Sequence, residues 1–321
     1  MDPSNVQEVE KLEEIDPDLS LTQDDAEEPI GKLNATCVSA LAMILKSIWN
    51  INVFASSRED ESVFHEFLLN DLSLKHPLEA NGVFDLFLNI LEALPNWGLY
   101  FEVYEVAKKI CNRCKLDLEY PAERSFRLII SASSLREVKS AFKDFTFENI
   151  IKVIKMNLKM PCDKEGCGKQ SYVHRMITKL PSVFTIALEW TKNETAGEIF
   201  DTVSVLATEI DVNVIYQCEG DIRYTKYRLV SMVRAKNNSN VNIQVCLHGN
   251  RYNCVAYENN RWVRYLRSEI EVIGDWENVV SICLKNIRPQ ILFFENVRPF
   301  RLRTCSCFAF IMCVFSQFHL L

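Results

Sequence analysis

The sequence predicts an α+β fold with a mainly antiparallel sheet. The first third of the chain carries apolar residues at helical spacing, whereas short alternating segments rich in β-formers follow one another closely in the last third. Helices and strands do not alternate regularly, as they would around a parallel sheet. The chain has 321 residues, of which 48% are hydrophobic, so it can bury a full core in one or two domains.

The helices follow from apolar residues that recur every three or four positions. Residues 40–54 are mostly apolar with a single lysine, which favours a helix that is buried on most sides. The predicted helices are 40–54, 61–72, 82–94, 147–157, 195–208 and 275–285.

The strands follow from short alternating or β-rich runs bounded by polar residues. They are predicted over 100–106, 126–130, 172–177, 183–188, 227–234, 241–247, 252–257, 262–265, 270–273 and 290–294. Segments 172–177 and 183–188 flank Leu180-Pro181, which is typical of a turn, and are therefore predicted to form a hairpin.

Acidic charge is concentrated at the N-terminus. Residues 1–29 hold eleven acids and one base, a charge of −10, which leaves +3 for residues 30–321 within the total of −7. The first segment is predicted to be a disordered, solvated tail, because it is acidic and poor in aromatic residues. The small positive balance of the remainder argues against a nucleic-acid binder, which would carry a basic stripe.

Cysteine usage and the C-terminal segment bear on localisation. Twelve cysteines without an N-terminal secretory signal indicate a reducing compartment, cytoplasmic or nuclear. Residues 304–321 contain no Asp, Glu, Lys or Arg and follow Arg298, Arg301 and Arg303. Segment 298–321 is thus an apolar tail, which predicts either a membrane anchor with the body in the cytosol or a terminus that packs on the body.

Two closely spaced cysteine pairs predict a structural zinc site. Two residues separate Cys111 from Cys114, four separate Cys162 from Cys167, and 47 lie between the pairs. Zinc favours four thiolates in a tetrahedron, and each tight turn supplies two of them from one side. Gly168 permits the close backbone approach that such a turn requires. Four cysteine ligands leave no position for water, so this metal would be structural and not catalytic.

Several sequence blocks resemble the ubiquitin-specific protease domain, in the order found in that family. Residues 162–297 contain CGKQSYVH, LPSVFTIALEW, LATEIDVNVIY, RLVSMV, RWVRY, EVIGDWENVVSIC and PQILFFENV, which resemble its C-terminal half, and residues 31–54 resemble its cysteine box. The blocks look most like the plant group of inactive ubiquitin carboxyl-terminal hydrolase-like proteins. The resemblance implies a papain-like thumb, palm and fingers fold over 30–297, with the cysteine quartet in zinc-bearing fingers at about 98–190.

The resemblance also implies where a catalytic triad would lie. Counting back from Trp49, the nucleophile position is Ser39; an alternative alignment uses Cys37 but needs two extra residues before the tryptophan. The histidine position holds Arg251 or, if the alignment slips by two residues, Asn253. Nearby His248 would have to move three residues, which changes its strand face. The acidic partner, which follows an aromatic residue in the family, is replaced by Leu266.

These replacements predict that the chain is catalytically inactive. Arginine stays protonated and cannot accept a proton, and a serine without a base is a negligible nucleophile. An unassisted Cys37 would be only a few per cent thiolate near pH 7. Loss of a whole triad costs on the order of 10⁶ in turnover in a related protease chemistry. The chain is therefore expected to bind ubiquitin, a ubiquitinated protein or another partner. The alternatives are a residual cysteine-type deubiquitinase that uses Cys37 and a membrane-tethered interaction module.

Overall fold

The computed structural model describes the body of the chain. The described residues are 43–44, 47–48, 51, 83–93, 95–156, 159–191, 193–218, 224–236, 251–266, 269–283 and 287–297. All of them belong to one compact unit. The predicted acidic tail 1–29, helix 61–72, strand 241–247 and apolar tail 298–321 lie outside the described residues. Within the described part, no helix has the length and apolar character needed to cross a membrane.

Helices and strands alternate irregularly along the body. Residues 43–44 and 47–48 are helical, and the other helices are α1 (Val83–Ala93), α2 (Pro95–Phe101), α3 (Ala132–Ala141), α4 (Phe147–Met156), α5 (Ala196–Val205), α6 (Val212–Ile215) and α7 (Trp276–Cys283). The first strands are β1 (Val103–Ile110), β2 (Asp117–Glu119), β3 (Glu123–Ser125), β4 (Leu128–Ser131), β5 (Lys159–Pro161), β6 (Gln170–Lys179) and β7 (Val183–Glu189). The later strands are β8 (Glu209–Asp211), β9 (Gln217–Cys218), β10 (Lys226–Lys236), β11 (Arg251–Glu258), β12 (Arg261–Tyr265), β13 (Ile270–Gly274) and β14 (Ile287–Asn296).

The larger sheet carries the core of the body. In the described part of the chain its strand order is β13-β12-β11-β10-β14-β7-β4, and β8 also pairs with β10. All neighbours are antiparallel except β4 and β7, which are parallel. The last strand in sequence, β14, therefore lies in the middle of the sheet, between β10 and β7.

A smaller sheet projects the cysteine quartet. Its order is β2-β1-β6-β5, with β3 also paired to β1 and β9 also paired to β6. β1 and β6 form its antiparallel centre, from Tyr104 opposite Lys179 to Lys109 opposite Val173. β1 ends at Ile110, just before Cys111, and β5 ends at Pro161, just before Cys162. Both cysteine turns therefore begin where a strand of this sheet ends.

Two hydrophobic clusters cover the two faces of the larger sheet. Along β11, Tyr252, Cys254 and Ala256 belong to the first cluster, which also contains the helical residues 43–48 and α1. Val255 belongs to the second cluster, together with residues of α3 to α7. The alternation follows from the period-2 geometry of a strand, so β7, β10, β11, β12 and β14 contribute to both cores.

The structure confirms the α+β class and corrects two elements. The predicted hairpin of 172–177 and 183–188 is wrong, because β6 pairs with β1 in the small sheet and β7 pairs with β14 and β4 in the larger one. The two sheets separate where the chain bends at Leu180-Pro181. The strand predicted from residue 100 begins at Val103, because residues up to Phe101 form α2.

Candidate metal centre and catalytic positions

The structure brings the four predicted cysteines together. Their sulfur atoms all lie within 4.8 Å of one another. Sγ of Cys111 is 3.7 Å from Sγ of Cys167, and Sγ of Cys114 is 3.4 Å from Sγ of Cys162. Zn–S bonds of about 2.3 Å in a tetrahedron require sulfur atoms about 3.8 Å apart. The donor set therefore fits a single tetrahedral metal ion.

The first turn of the site follows directly from β1. The backbone N–H of Cys111 donates to the carbonyl oxygen of Leu116 at 2.9 Å, and the N–H of Lys115 donates back to the carbonyl of Cys111 at 2.8 Å. Lys115 has a φ of 58°, a left-handed conformation that closes the turn. Both thiols, at Cys111 and Cys114, therefore project to the same side.

The second turn joins β5 to β6. The N–H of Cys162 donates to the carbonyl of Lys169 at 2.9 Å, and the N–H of Cys167 donates to the carbonyl of Lys164 at 3.0 Å. Gly168 has a φ of +57°, and a Cβ built there would meet no atom within 4 Å. Glycine is therefore favoured at this position for its backbone conformation and not for lack of space.

Backbone donors make the cluster electrostatically ready for a cation. The N–H groups of Cys114 and Arg113 lower the pKa of Cys111 to about 6, although its burial acts in the opposite direction. The N–H of Lys164 lowers the pKa of Cys162, but burial and the neighbouring thiols outweigh it and leave that pKa raised. The quartet thus offers one thiolate near neutral pH, and a bound metal would displace the remaining protons.

A buried lysine ties the two turns together. Lys109 on β1 is 1% exposed, and its Nζ donates to the carbonyl of Pro161 at 2.7 Å and to Oδ1 of Asp163 at 2.9 Å. Tyr120 donates its hydroxyl to Oδ2 of Asp163 at 2.8 Å. These contacts hold β5 against β1 and help to place the two cysteine pairs opposite each other.

The second candidate site lies where the cysteine-box helix meets the larger sheet. The hydroxyl of Ser47 donates to the carbonyl of Met43 at 2.8 Å. Oγ of Ser47 also lies 3.0 Å from Sγ of Cys254 on β11. Ser231 on β10 donates its hydroxyl to the carbonyl of Ser47 at 2.9 Å. The helix is therefore attached to both central strands by buried hydrogen bonds. The predicted nucleophile positions, Ser39 and Cys37, precede this helix and lie outside the described residues. His248, in the segment before β11, also lies outside them.

The other two predicted triad positions lie at one end of neighbouring strands. Arg251 is the first residue of β11 and pairs with Lys236 of β10. Leu266 directly follows β12, whose last pair joins Tyr265 to Cys254, and its N–H donates to the carbonyl of Glu269 at 2.9 Å. The register thus brings Arg251 and Leu266 to the same end of the sheet, although fourteen residues separate them in sequence.

The alternative histidine position, Asn253, faces the opposite core. Its Oδ1 accepts a hydrogen bond of 3.0 Å from Nε of Arg234. Arg234 is fully buried, and its Nη1 donates to Sγ of Cys283 on α7 at 3.4 Å, in the second cluster. Asn253 therefore points away from the helical residues 43–48, which pack in the first cluster.

Sequence reasoning missed the buried arginine beneath this strand. Burial lowers the pKa of the Arg234 guanidinium, and its Nη2 has no hydrogen-bond partner. The available signal was a single charged residue, Arg234, inside the mostly apolar run LVSMVRA. Because most buried arginines are paired, such a residue in a central strand indicates a fixed polar contact, here with Asn253.

A second polar cluster that the sequence did not reveal joins the small sheet to α4. Glu105 of β1 accepts from the hydroxyl of Tyr216 at 2.6 Å and from Nη1 of Arg175 at 3.1 Å, and Nζ of Lys155 lies 3.6 Å away. Lys155 also lies 3.8 Å from the centroid of the Tyr216 ring. Burial lowers the pKa of Lys155 to about 8, with Glu105 acting against this shift. The contacts fix the root of the small sheet to α4.

Similarity to solved structures identifies the fold. A chain of the SAGA DUB module Ubp8/Sgf11/Sus1/Sgf73 bound to monoubiquitin aligns with a TM-score of 0.55 at 11% identity, over 84% of this chain and 69% of that chain. A yeast SAGA DUB module with an Sgf73 mutant gives 0.56 at 11% identity, over 84% and 68%. The module bound to ubiquitin aldehyde gives 0.54 at 11%, over 84% and 69%. The predicted papain-like fold of the ubiquitin-specific protease type is confirmed.

The sequence itself matches a family model over most of its length. No curated protein sequence matches the chain. The ubiquitin carboxyl-terminal hydrolase model matches residues 43–294, a span that includes the cysteine-box helix, both sheets and the cysteine quartet. The chain therefore belongs to the ubiquitin carboxyl-terminal hydrolase family.

Proposed function

We propose that this chain is a catalytically inactive member of its family that keeps the fold to bind ubiquitin or a ubiquitinated protein. One observation carries the proposal: Arg251 and Leu266 stand at the positions where the family's histidine and acidic residue are expected. Arginine cannot accept a proton at neutral pH, and leucine cannot orient or stabilise an imidazolium. The pattern agrees with the plant inactive group that the sequence resembles.

The nucleophile position supports the same proposal. With Ser39 at the nucleophile position, no group removes the proton from the attacking hydroxyl, and none donates a proton to the leaving amine. If Cys37 took the position instead, a neighbouring Arg251 would lower the pKa of its thiol and favour thiolate. The leaving amine would still lack a proton donor, so turnover would stay low.

We further propose that Cys111, Cys114, Cys162 and Cys167 hold a structural zinc ion. The sulfur distances, the two tight turns and the thiolate favoured at Cys111 all suit this metal. When bound, zinc would add folding free energy to the small sheet. The chain's own residues prepare the site, because Lys109 and Asp163 already hold the two turns in place.

Ubiquitin is the proposed partner because solved proteins with this fold include complexes with monoubiquitin and ubiquitin aldehyde. The carboxylate of the ubiquitin tail would meet Arg251 where catalysis once required a neutral histidine, and a paired hydrogen bond would favour it. The chain is proposed to act in the cytoplasm or nucleus. In support, the described cysteines are free thiols.

The first test is hydrolysis of a fluorophore amide at the ubiquitin C-terminus. The unmodified chain is expected to give no turnover above background, and Ser39→Cys alone should not rescue it, because Arg251 and Leu266 remain. The triple change Ser39→Cys, Arg251→His and Leu266→Asp restores the nucleophile, the base and its acidic partner, and serves as the matched positive control. Robust turnover by the unmodified chain that Cys37→Ala abolishes would overturn the proposal and make Cys37 the nucleophile.

The second test is a binding titration with ubiquitin, which separates retained binding from its loss. Arg251→Ala should weaken binding of ubiquitin with an intact C-terminus by about tenfold, equivalent to about 1.4 kcal/mol. It should leave binding of ubiquitin truncated at its C-terminus unchanged, because no carboxylate then reaches the arginine site. Arg261→Ala, an exposed arginine at the far end of the neighbouring strand, is the control. No saturation with either form of ubiquitin would contradict the partner assignment.

A further inference from the structure

The larger sheet has an open apolar edge at β13. In the described part of the chain, β13 pairs only with β12, through Val263 opposite Val272 and Tyr265 opposite Ile270. Val263 and Tyr265 are buried, whereas Ile270 and Val272 are each 52% exposed. The first core therefore stops one strand short of the sheet edge.

An edge of this kind is normally covered or blocked. Unpaired backbone groups beside exposed apolar side chains are a template for another strand, and proteins usually protect them with charge, prolines or a covering segment. Here the carbonyl of Ile273 accepts a bond of 3.2 Å from Nδ2 of Asn278, which leaves 270–272 as the open part. Glu271 is committed to an ion pair with Arg264 across the strand.

We propose that the apolar C-terminal tail adds to β13 as an antiparallel strand, with residues 306–310 alongside 274–270. The tail leaves the sheet after β14, whose final pair joins Asn296 to Tyr227. The registers of β10, β11 and β12 put Gly274 at this same end of the sheet. A chain that crosses this end and turns along β13 therefore runs antiparallel to it.

The length of the connection fits the distance. From β14 to a strand added beyond β13, the connection crosses five strand spacings, about 24 Å. Along the strand direction, Gly274 lies about three residues, or roughly 10 Å, from the level of Asn296. The direct path that combines these two perpendicular distances is about 26 Å. Eight extended residues, 298–305, reach about 26–29 Å. Residue 306 then arrives opposite Gly274, which places Phe308 opposite Val272 and Phe310 opposite Ile270. Both phenylalanines would cover apolar side chains as cross-strand pairs.

Charge along the path agrees with this route. The connecting residues include Arg298, Arg301 and Arg303, whereas the stretch that would pair with β13 contains no charged residue. Exposed acids, Asp275 and Glu277, lie just beyond the end of β13 at which the connection would arrive. Opposite charges would therefore flank the apolar contact.

Hydrogen–deuterium exchange on the full chain tests the proposal. In the variant Phe308→Asp/Phe310→Asp, the amides of 270–273 should exchange at least about tenfold faster than in the unmodified chain. The matched control, Phe315→Asp/Phe318→Asp, carries the same charge change beyond the proposed pairing and should leave these amides protected. Neither variant changes a described residue of the two cores. Equal exchange at 270–273 in all three proteins would overturn the proposal.

Photo-crosslinking identifies the occupant. Benzoyl-phenylalanine at position 272 should form an adduct with residues 304–314 of the same chain, detected as an intrachain cross-linked peptide. Adducts between two copies would mean that a second chain pairs with the edge, and the absence of any adduct between position 272 and the tail in a cell membrane fraction would favour the anchor. Either result would overturn tail docking.

Discussion

Replacing Cys162 by serine is expected to abolish metal binding and to unfold the small sheet. The serine hydroxyl does not ionise at neutral pH, so three thiolates would remain around the ion. Structural zinc contributes on the order of 10 kcal/mol of apparent binding free energy in small metal-dependent domains. The unfolding free energy should therefore fall by more than about 3 kcal/mol, with rapid amide exchange in β1 and β6. Elemental analysis should find about one zinc per unmodified chain and none in the variant.

The control for this change is Cys218→Ser. Cys218 lies in β9, is half-buried and takes no part in the cluster. Its replacement should leave the metal content unchanged. Metal retained at one equivalent in Cys162→Ser would contradict a four-cysteine site. Acid should also release the metal, because protons compete with the ion for the thiolate sulfurs.

Replacing Glu105 by alanine is expected to destabilise the protein by roughly 3–5 kcal/mol. The substitution would leave Lys155 and Arg175 without their shared carboxylate and the buried hydroxyl of Tyr216 without its acceptor. Chemical denaturation measures the loss. Glu119→Ala is the control on the same sheet, because its pair with Lys108 is exposed and should contribute less than about 1 kcal/mol. Equal effects of the two changes would contradict a special role for the Glu105 cluster.

The same cluster predicts a dependence of stability on alkaline pH. The folded-state pKa of Lys155, about 8, lies below its ordinary value of 10.5, so the unfolded chain binds more protons between these values. Unfolding free energy should therefore rise from about pH 8 to about pH 10 through this group. Lys155→Met should remove that rise, whereas Lys152→Met, an exposed lysine on α4, should retain it. A rise that persists unchanged in Lys155→Met would assign it to other groups.

The sequence predicted best those features that depend on residues close together in the chain. The spacing of Cys111, Cys114, Cys162 and Cys167 predicted a cluster that the fold assembles, because each pair forms its own turn. The described strands from residue 226 onward were close to their predicted bounds, because side chains alternate between the two faces along each of them.

Long-range partners explain what the sequence could not predict. Segments 172–177 and 183–188 have hairpin spacing, but β1 lies more than sixty residues before β6, and β14 lies a hundred residues after β7. Each segment instead pairs with those distant strands, β6 with β1 and β7 with β14. The Glu105 cluster was equally hidden, since its partners come from three distant elements and none has a recognisable local motif.

The central position of β14 has a consequence for biosynthesis. Ile291 and Phe293 complete the first core, and Leu292 and Phe294 complete the second. Neither core can close until residue 296 has left the ribosome, which takes roughly 15–60 s at about 5–20 residues per second. During that time β7 and β10 lack the strand that separates them in the finished sheet. The nascent chain should therefore depend on chaperones until translation is nearly complete, and a premature stop before β14 should yield an aggregate rather than a smaller folded protein.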